Sequence, residues 1–572
     1  METKFAKSAY RYFLFWGVCT SLAITVCTIV DALLIGNLVG SNGLAVTNLS
    51  TPVFLTYALF GVTVGVGGNV RIGKHLGASE IGEANRVFHI QLTTGLIIGL
   101  ICWGALLFRG SFFTLLGVTE VLRPLAESYL TVVLASAPMF VMYHILSATV
   151  RTDSDPVRAS VASGVVIVLN LGLDLFFMLV LRWGIFGASA SLCIAETMGV
   201  AVLLSHFFKK RALLKLGLRL PTWQDVRSFA VNGFGMGSAF FFQGVVMLAF
   251  NTLLIRSGGA QAELNVAVYG VLYSISMVPF ALFDGASNAL ATIISFFRGE
   301  CDTQSIRTVY HQALRFAVIS SAVIIALCQL FATSLAALFG LPPEVSGGMA
   351  AISIRVFSLS ILLSGVNTVI TAYWQAIGRA GLAGLVSVLR NFVVILAFGL
   401  YPISHYQILG VSVTYGVTEL LCTLLLLVLL SLPRSRSYLD ELGAANGRVF
   451  ENQYSISTDS HQRISGDLDA VCEEWGLPMA KTFFIEFICE ELLLNIIKFG
   501  LKDGQSDRYI AIKLMEREDG YVLRIRDNVS EFNPFEVDGD AIDNGVLTLI
   551  EKKTKQYEYQ RKMIFNYLYM VL

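Results

Sequence analysis

Apolar runs of roughly 20 residues or more follow one another between residues 8 and 432. A helix needs about 20 apolar residues to cross the ~30 Å hydrocarbon core of a bilayer. The whole chain is 55% hydrophobic and 14% charged, a balance that soluble globular domains do not have. The pattern predicts a polytopic α-helical membrane domain, and it leaves the charged, mixed segment 433–572 as a soluble domain.

Twelve membrane-spanning helices are predicted from these runs. Their approximate bounds are 12–36, 45–69, 87–108, 127–149, 157–181, 185–208, 228–255, 266–296, 312–339, 350–377, 381–400 and 406–432. Lys and Arg concentrate in the connections on one side, most densely between residues 209 and 219. Because cytoplasmic connections carry the excess of Lys and Arg, we expect both termini and the soluble domain to face the cytoplasm, with the protein in the cytoplasmic (inner) membrane.

The two halves of the apolar region repeat each other. The segment "IFGASASLCIAE" at 185–196 matches "ILGVSVTYGVTE" at 408–419, sharing Ile, Gly, Ser and Glu at an offset of 223. A second pair, "GASEIGEANRVFH" at 77–89 and "GECDTQSIRTVYH" at 299–311, has an offset of 222. Six spans in each repeat give both halves the same topology. We therefore predict two parallel six-helix repeats about an axis along the membrane normal, an arrangement typical of secondary transporters.

Charge and cysteine content argue against several classes of function. The chain carries 41 Lys plus Arg and 41 Asp plus Glu, so no basic excess indicates nucleic-acid binding. Its nine cysteines include no CxxC pair, and most lie in apolar runs as expected of small core residues. The seven histidines show no metal-ligand spacing. We therefore expect neither a nucleic-acid partner nor a metal site built from Cys or His.

Three motifs give residues 8–432 a family resemblance. They are "VDALLIGNLVGSNGLAVTNLSTP", "GVTVGVGGNVRIGKHLGASEIGEANRV" and "NLGLDLFFMLVLRWGIFGASAS". In order and spacing these motifs resemble the multidrug and toxic compound extrusion (MATE) transporters. The resemblance implies two six-helix bundles arranged as a V, which export organic cations or drugs in exchange for H+ or Na+. We divide the chain into a first bundle at 1–220, a second bundle at 221–432, a linker at 433–445 and a cytoplasmic domain at 446–572.

Few acidic residues lie inside the predicted spans: Asp31, Asp174, Glu196, Asp284 and Glu419. Ionisable groups at such depth normally face the bundle interior or a water-filled cavity, and they often mark an ion path. The MATE resemblance implies that Asp31, in the first helix, couples transport to a cation. Asp174 lies in an "NLGLD" stretch that is similar to the family's fifth-helix segment, and Asn170 lies one turn earlier on the same face. A packing role alone is the competing interpretation for both acids.

The other acids and several polar residues have different expected roles. Glu196 and Glu419 hold equivalent repeat positions near span ends, where a structural role is favoured, and Asp284 is expected to cap a helix or line the cytoplasmic mouth. The middle of spans seven and ten carries Asn251 and Asn367 rather than acids, so no sodium site built from second-half carboxylates is predicted. Residues expected to line a substrate cavity are Asn48, Asn69, Gln243, Asn251, Asn288, Asn367 and Tyr373.

The segment after residue 446 has the pattern of an α+β sandwich. Alternating apolar residues predict strands at 446–457, 507–517 and 520–528, and helical spacing predicts helices at 459–475 and 478–498. A short helix at 544–554 and a final hairpin over 556–572 complete the domain. The last apolar run is too short to cross a bilayer.

The same segment resembles the GHKL ATPase fold, and most closely the anti-sigma-factor serine kinases. The resemblance rests on an E-x-x-x-N helix and on an acid at a strand end in "RIRDNVSEFNP". It implies that Glu491 is a catalytic base, that Asn495 completes Mg2+ coordination, and that Asp527, with Gly545, binds the nucleotide of Mg-ATP. Val529 and Glu531 stand where that family usually has glycines, so a degenerate regulatory domain without ATP is an alternative.

Three functions remain open from the sequence. The first is a MATE-type, cation-coupled antiporter whose cytoplasmic domain senses nucleotide or binds a regulatory protein. The second is a membrane-anchored signalling protein whose C-terminal domain binds or phosphorylates a cytoplasmic partner. The third is a flippase for a lipid-linked molecule. The intramembrane acids favour the first over the second, because carboxylates inside a bundle are suited to ion coupling.

Overall fold

The computed structural model describes residues 4–39, 41–116, 118, 120, 122–339, 341, 343–431, 448–456, 460–500, 508–517, 520–531, 533 and 552–572. The chain divides into two compact units. The membrane unit comprises Ala6–Glu300 and Ser305–Arg436, and the C-terminal unit comprises Met1–Phe5, Cys301–Gln304 and Ser437–Leu572. The predicted linker at 433–445 lies outside the described residues.

The first half of the membrane unit is built of long helices. They are α1 (Lys4–Leu38), α2 (Ser41–Gly77), α3 (Ile81–Trp103), α4 (Arg109–Leu115), α5 (Arg123–Ala135), α6 (Ala137–Thr152), α7 (Pro156–Leu175) and α8 (Ile185–Leu204). Helix α7 begins with a proline at its first position, and the Asp155 carboxylate accepts a hydrogen bond from the Arg158 backbone N–H at 3.1 Å. Both features are standard helix starts, because they satisfy or remove unpaired N–H groups.

The second half begins after a connection that ends at Thr222. Its helices are α9 (Trp223–Gly258), α10 (Ala262–Gly299), α11 (Thr303–Leu338), α12 (Pro343–Val345), α13 (Ala351–Ala376), α14 (Ala380–Val388) and α15 (Ile395–Ser431). Thr222 and Asp225 form a reciprocal capping box at the start of α9. A π-helical stretch, Leu389–Val394, joins α14 to α15. Such stretches widen a helix locally and are frequent at functional sites.

The number of membrane spans differs from the predicted twelve. Among the described residues, ten helices are long and apolar enough to cross a membrane, or eleven if the bent pair α5 and α6 forms one span. The last two predicted spans, 381–400 and 406–432, fall in one continuous segment, Ala380–Ser431. This segment has 52 residues, and its backbone leaves helical geometry at Gln407. This break lies beside the predicted boundary between the two spans, so the segment consists of two helices merged across a kink.

The internal repeat is visible in the backbone. Gly184 and Gln407, 223 positions apart, have similar unusual torsions, with φ of 56° and 50° and ψ of −136° and −123°. Ser79 and Cys301, 222 positions apart, both have positive φ, at 61° and 54°. Non-glycine residues adopt positive φ rarely. The recurrence of these turns at the offset of the sequence repeat therefore reflects the same chain path in both halves.

The two halves meet along a line of glycines, which we call the glycine seam: Gly67 and Gly77 of α2 and Gly233 of α9. A Cβ at Gly67 would overlap the carbonyl oxygen of Phe229, and one at Gly233 would overlap that of Thr63. Arg71 of α2 adds an ion pair to Asp225 of α9 in the same region, at 3.3 Å. Because no side chain separates the helices, their backbones approach closely across the seam.

The connection between the halves is fixed to the first bundle by a buried histidine. His206 follows α8, and its ring nitrogens lie 2.8 Å from Asp153 and 3.1 Å from Asp155. Lys209 also contacts Asp155, at 2.7 Å. Burial lowers the pKa of His206, but the two carboxylates outweigh burial and raise that pKa above its ordinary value. Despite burial, the partners of Asp155, with His206 first and Lys209 next, hold its pKa well below the usual range.

A five-stranded antiparallel sheet forms the C-terminal unit together with two helices. The strands are β1 (Val449–Ser455), β2 (Tyr509–Arg517), β3 (Gly520–Asp527), β4 (Gln556–Lys562) and β5 (Phe565–Val571), and the helices are α16 (Ser460–Trp475) and α17 (Met479–Asn495). The strand order is β1-β2-β3-β5-β4. These elements agree with the strands and helices predicted from the pattern of apolar residues, while most of the predicted helix 544–554 lies outside the described residues.

The core of this unit lies between one face of the sheet and the two helices. Alternate residues of β2 and β3, such as Ile512 and Ile525, pack against Leu468 of α16 and Leu492 of α17. Period-two alternation in the strands and helical spacing in α16 and α17 bury these residues on one side of each element. The start of β2, the end of β3 and the start of β5 lie at the same end of the sheet, because Asp527 pairs with both Ile510 and Asn566.

Candidate functional site

Two carboxylates from different helices meet inside the first bundle. Asp31 lies on α1, and Asp174 lies on α7 one turn after Asn170. The Asn170 side chain donates through Nδ2 to both carboxylate oxygens of Asp31, at 2.7 Å each, and to Oδ2 of Asp174 at 3.3 Å. The fold therefore brings together the three residues for which the sequence predicts ion coupling. We call this group the acid cluster.

Two members of the acid cluster are buried, whereas Asp31 is partly exposed. Asn170 and Asp174 are 1% and 2% exposed, and Ser191 of α8 donates its hydroxyl to Asp174. The side-chain oxygen of Asn170 is buried and has no hydrogen-bond partner among the described residues. Buried polar atoms are normally paired, and buried charges need compensation. An unpaired acceptor beside two carboxylates is a place where an added proton or small cation would be stabilised.

The second bundle contains an ion pair that the sequence analysis missed. Arg390, on the π-helical stretch, donates through Nε to both carboxylate oxygens of Glu419 on α15, at 2.9 Å each, and through Nη2 to Oε1 at 2.7 Å. The same guanidinium donates to the hydroxyls of Thr368 and Ser364, at 2.9 and 2.8 Å. Asn367 of α13 donates to Glu419 Oε2 at 2.7 Å. This carboxylate is therefore neutralised inside the bundle.

A detectable signal for this pair was present in the sequence. Arg390 is the single Lys or Arg in the predicted span 381–400. Basic residues inside a membrane span, like acidic ones, usually pair with an opposite charge in the interior of the bundle. A search for both acidic and basic residues in the spans would therefore have matched Arg390 with Glu419. The structural role predicted for Glu419 is compatible with this geometry, whereas Glu196, at the equivalent repeat position, has one buried carboxylate oxygen with no partner among the described residues.

A cavity opens inside the second bundle beside this ion pair. Its volume is about 220 Å³, and it lies among α9, α10, α13, α15 and the π-helical stretch. Aromatic residues such as Phe240, Phe280 and Tyr415 form part of its wall, and Arg390 and Glu419 line it as well. Apolar walls with a few convergent polar groups are the usual composition of small-molecule sites.

One acid, Asp284 of α10, reaches this cavity from the contact between the two bundles. Ser21 of α1 donates to its Oδ2 at 2.9 Å, and Asn288 donates to the same oxygen at 3.1 Å. Asp284 also lines the cavity. The residue was expected to cap a helix or line the mouth of the protein. In the structure it lies on α10, where it is hydrogen-bonded to α1 and lines the cavity.

The polar residues predicted to line a substrate cavity separate into several places. Gln243 lines the cavity of the second bundle. Asn69 and Asn288 line a small polar pocket where α2 approaches α10. Asn251 is on α9 with Gln243, but it is not among the described residues that line the cavity.

Two other predicted cavity residues have partners of their own. Asn367 donates to Glu419, as described above, and Tyr373 packs its ring against Tyr310 with the ring centroids 4.5 Å apart. The side chain of Asn48 lies outside the described residues. Of the predicted set, Gln243 is thus the residue that the fold places in the second-bundle cavity, and sequence reasoning did not foresee that Asp284 would join it.

The model of the MatE family matches residues 18–176 and 237–401 of this chain. These ranges together cover more than half of the sequence and contain Asp31, Asn170, Asp174 and Asp284. The chain belongs to the MatE family. The sequence resemblance to MATE transporters is thereby confirmed, and so is its extent across both halves of the membrane unit. The C-terminal unit lies outside the family match.

Curated relatives of this MatE-family chain include transporters of different substrates. A multidrug export protein MepA from Staphylococcus saprophyticus is 23% identical over 438 residues, which are 75% of this chain and 94% of the relative. An FAD transporter from Shewanella oneidensis is 23% identical over 340 residues, or 58% of this chain and 73% of the relative.

Solved structures share the fold of the membrane unit. A MATE-family transporter of the MOP superfamily in an outward-facing conformation has a TM-score of 0.70 and 22% identity, covering 77% of this chain and 97% of its own. A MOP-superfamily transporter from Pyrococcus furiosus has a TM-score of 0.68 and 22% identity, covering 77% of this chain and 99% of its own. The protein is accordingly a multi-pass membrane protein of MATE fold.

In the C-terminal unit, the residues predicted to bind a nucleotide are only partly assembled. Glu491 and Asn495 lie one turn apart near the end of α17, as predicted. Asn495 is 8% exposed, and its Nδ2 is buried without a partner among the described residues. Gly545 lies outside the described residues. The helix therefore presents the expected pair, but Asn495 faces the interior of the unit.

Asp527 at the end of β3 is already engaged by its own chain. Its Oδ1 accepts hydrogen bonds from the Val529 backbone N–H at 3.1 Å and from Asn566 Nδ2 at 2.8 Å. Burial raises the pKa of Asp527 to about 6, although these two donors act in the opposite direction. The described residues do not fit a complete Mg-ATP site, and we derive no ATP-dependent step from them.

Proposed function

We propose that this MatE-family protein is a secondary transporter that exports organic cations or drug-like molecules by alternating access, in exchange for H+ or Na+. The observation that carries the proposal is the Asn170 amide held between the carboxylates of Asp31 and Asp174. Two acids that share one donor inside a helix bundle form a site whose charge is compensated only when a cation arrives.

Antiport follows if the acid cluster alternates between a state with a bound cation and a state without one. With the cation bound, the carboxylates no longer compete for the Asn170 N–H groups, and α1 and α7 are free to change their contact. With the cation gone, the amide again holds Asp31 to α7. A ligand binds differently to the two arrangements, and that difference in affinity is what couples the two fluxes.

The geometry favours H+ over Na+ as the coupling ion. An N–H donor, not an oxygen, occupies the space between the carboxylates, whereas an alkali cation requires a shell of oxygen ligands. A proton needs only one of the acceptors already present.

The substrate class is supported by relatives rather than by the cluster. One relative bears the name of a multidrug export protein and another that of an FAD transporter. Bacterial relatives of this type support a place in the cytoplasmic membrane. The basic residues of the connections support cytoplasmic termini.

Exchange in proteoliposomes tests the proposal. A fluorescent organic cation would be loaded with and without an imposed pH or Na+ gradient, for the wild type, Asp31→Asn and Asp174→Asn. Glu344→Gln is the matched control, because Glu344 is exposed at the start of α12. We expect gradient-driven accumulation to be lost in both acid variants and retained in the control. Normal gradient-driven transport by Asp31→Asn would reject the ion-coupling assignment.

A second candidate function, nucleotide binding, concerns the C-terminal unit. It is favoured by one observation, the buried and unpaired amide nitrogen of Asn495 one turn after Glu491. The alternative is a regulatory domain that binds a cytoplasmic protein. Isothermal titration of the full chain with Mg-ATP, with Asn495→Leu as the comparison, distinguishes the two. Heat that disappears in the variant supports nucleotide binding, and equal traces leave only the regulatory role.

A further inference from the structure

The cavity of the second bundle has one acid without a basic partner at ion-pair distance among the described residues. Arg390 and Glu419 cancel each other's charge within the cavity wall, with side chains only 13% and 10% exposed. Asp284 lines the same cavity, and its hydrogen-bond donors are the neutral side chains of Ser21 and Asn288. The charge that a ligand meets in this cavity is therefore set by Asp284.

The hydrogen bonds of Asp284 also orient it. Ser21 and Asn288 both donate to Oδ2. The second oxygen, Oδ1, has no hydrogen-bond donor among the described residues. Aromatic faces from Phe240, Phe280 and Tyr415 line the same space, and such faces attract organic cations. A monovalent organic cation with an aromatic or alkyl body matches this combination of one carboxylate and apolar walls.

Helix α1 connects this acid to the acid cluster. Ser21 and Asp31 lie on the same helix, ten positions apart, which is a rise of about 15 Å at 1.5 Å per residue. One turn before Ser21, α1 touches α10 backbone to backbone, since a Cβ at Gly17 would lie 2.7 Å from the Gly285 carbonyl oxygen. A rigid helix in direct contact with α10 transmits a displacement at Asp31 to the Ser21–Asp284 hydrogen bond.

We propose that Asp284 binds the cationic group of the transported ligand in the second-bundle cavity, and that Ser21 transmits the protonation state of the acid cluster to it. This inference rests on the proposed function and names its ligand site. Protonation of Asp31 weakens its hydrogen bonds to Asn170 and releases α1. Asp284 then loses the Ser21 donor that orients it, and the ligand cation is bound less tightly. Ion and ligand thus occupy separate carboxylates.

Both acids have charged or titratable neighbours on the helices packed against them. Near Asp31 these are Asp174 of α7, Cys27 of α1 and Glu196 of α8. Near Asp284 the charged neighbour is Arg151 of α6. A direct effect of pH on Asp284 would persist when Asp31 is neutralised, whereas an effect transmitted through α1 would not.

Isothermal titration of the purified full chain with benzyltrimethylammonium, between pH 5.5 and 8.5, tests the proposal. Phenylmethanesulfonate, an anion of similar size, is the control ligand. The wild type should bind the cation more tightly as pH rises. Asp284→Asn should lose at least tenfold in affinity, and Asp284→Glu should recover part of it. Ser21→Ala and Asp31→Asn should bind with an affinity that no longer changes with pH.

Ser274→Ala provides the matched serine control, because Ser274 lies on α10, is not among the described residues that line the cavity, and donates to the Gly270 carbonyl of its own helix at 2.9 Å. Its affinity and pH dependence should equal those of the wild type. Wild-type affinity in Asp284→Asn would overturn the ligand site, and an unchanged pH dependence in Ser21→Ala would overturn the transmission. Both results come from binding measurements and do not depend on transport. A failure of the antiport proposal would appear separately, in the proteoliposome experiment with an imposed gradient.

Discussion

Arg390 binds both carboxylate oxygens of Glu419 through a single nitrogen, Nε, at 2.9 Å, and Nη2 adds a third contact at 2.7 Å. Glu196, the residue 223 positions earlier, has no such partner among the described residues. The two repeats therefore share a chain path but differ in charge: Glu196 has no basic partner among the described residues, whereas Glu419 is neutralised by Arg390.

Removal of one partner of this pair should strongly destabilise the second bundle. Arg390→Met leaves Glu419 as an uncompensated buried charge, which typically costs about 3–5 kcal/mol. The double variant Arg390→Met with Glu419→Gln should recover most of that loss, because no charge remains. Thermal unfolding of the purified protein in detergent would measure both. A double variant no more stable than the single one would contradict the ion-pair account.

The bridging amide of the acid cluster should be required for coupling rather than for folding. Asn170→Leu removes the donor that joins Asp31 to Asp174, so the tie between α1 and α7 is lost whatever the protonation state. We expect at least a tenfold decrease in gradient-driven transport, with downhill exchange affected less. The ratio of the two rates in proteoliposomes is the measurement. Equal losses in both would indicate a general packing defect.

The histidine that fixes the connection between the bundles should make stability depend on pH. The folded-state pKa of His206 is raised, so its contribution is complete below the unfolded value of about 6.5 and is lost as pH rises through the folded value. Despite burial, both carboxylates raise the pKa of His206, Asp153 first and Asp155 next.

Comparison of His206→Gln with the wild type tests this expectation. The wild type should be more stable than His206→Gln at pH 6. The difference in unfolding temperature between the two proteins should narrow above about pH 6.5. His75→Gln is a suitable control, because His75 pairs with the exposed Glu80 and its own side chain is less buried than that of His206. A difference that stays constant with pH would show that His206 acts through packing alone.

Asp527 should give the C-terminal unit a pH dependence of its own, at lower pH. Because burial raises the folded-state pKa of this acid to about 6, the protonated form is favoured in the folded unit. Stability should decline by up to about 3 kcal/mol as pH rises from about 4 to about 6, and Asp527→Asn should abolish that decline. Hydrogen exchange of β3 and β5 amides in the full chain would report it. A variant with the wild-type pH profile would contradict the assignment.

Sequence reasoning succeeded where a short-range pattern dictates the structure. The four-residue spacing of Asn170 and Asp174 placed them on one helix face. The offset of 222–223 predicted an internal repeat, and the similar backbone torsions of Gly184 and Gln407 reflect it. It could not assign Asn367 correctly to its partner Glu419, because a 52-residue separation carries no local signal. The division that it predicted within the segment Ala380–Ser431 lies beside the backbone break at Gln407.

The glycine seam has a consequence for how the two bundles can separate. A boundary made of peptide groups has no interlocking side chains, so parting it requires no change of rotamer on either face. Close fit holds it together with the Arg71–Asp225 ion pair, and one added methyl group at Gly67 or Gly233 would act as a wedge. Such a wedge would leave each bundle intact while shifting the population of the protein toward the conformation in which the two bundles are parted at the seam.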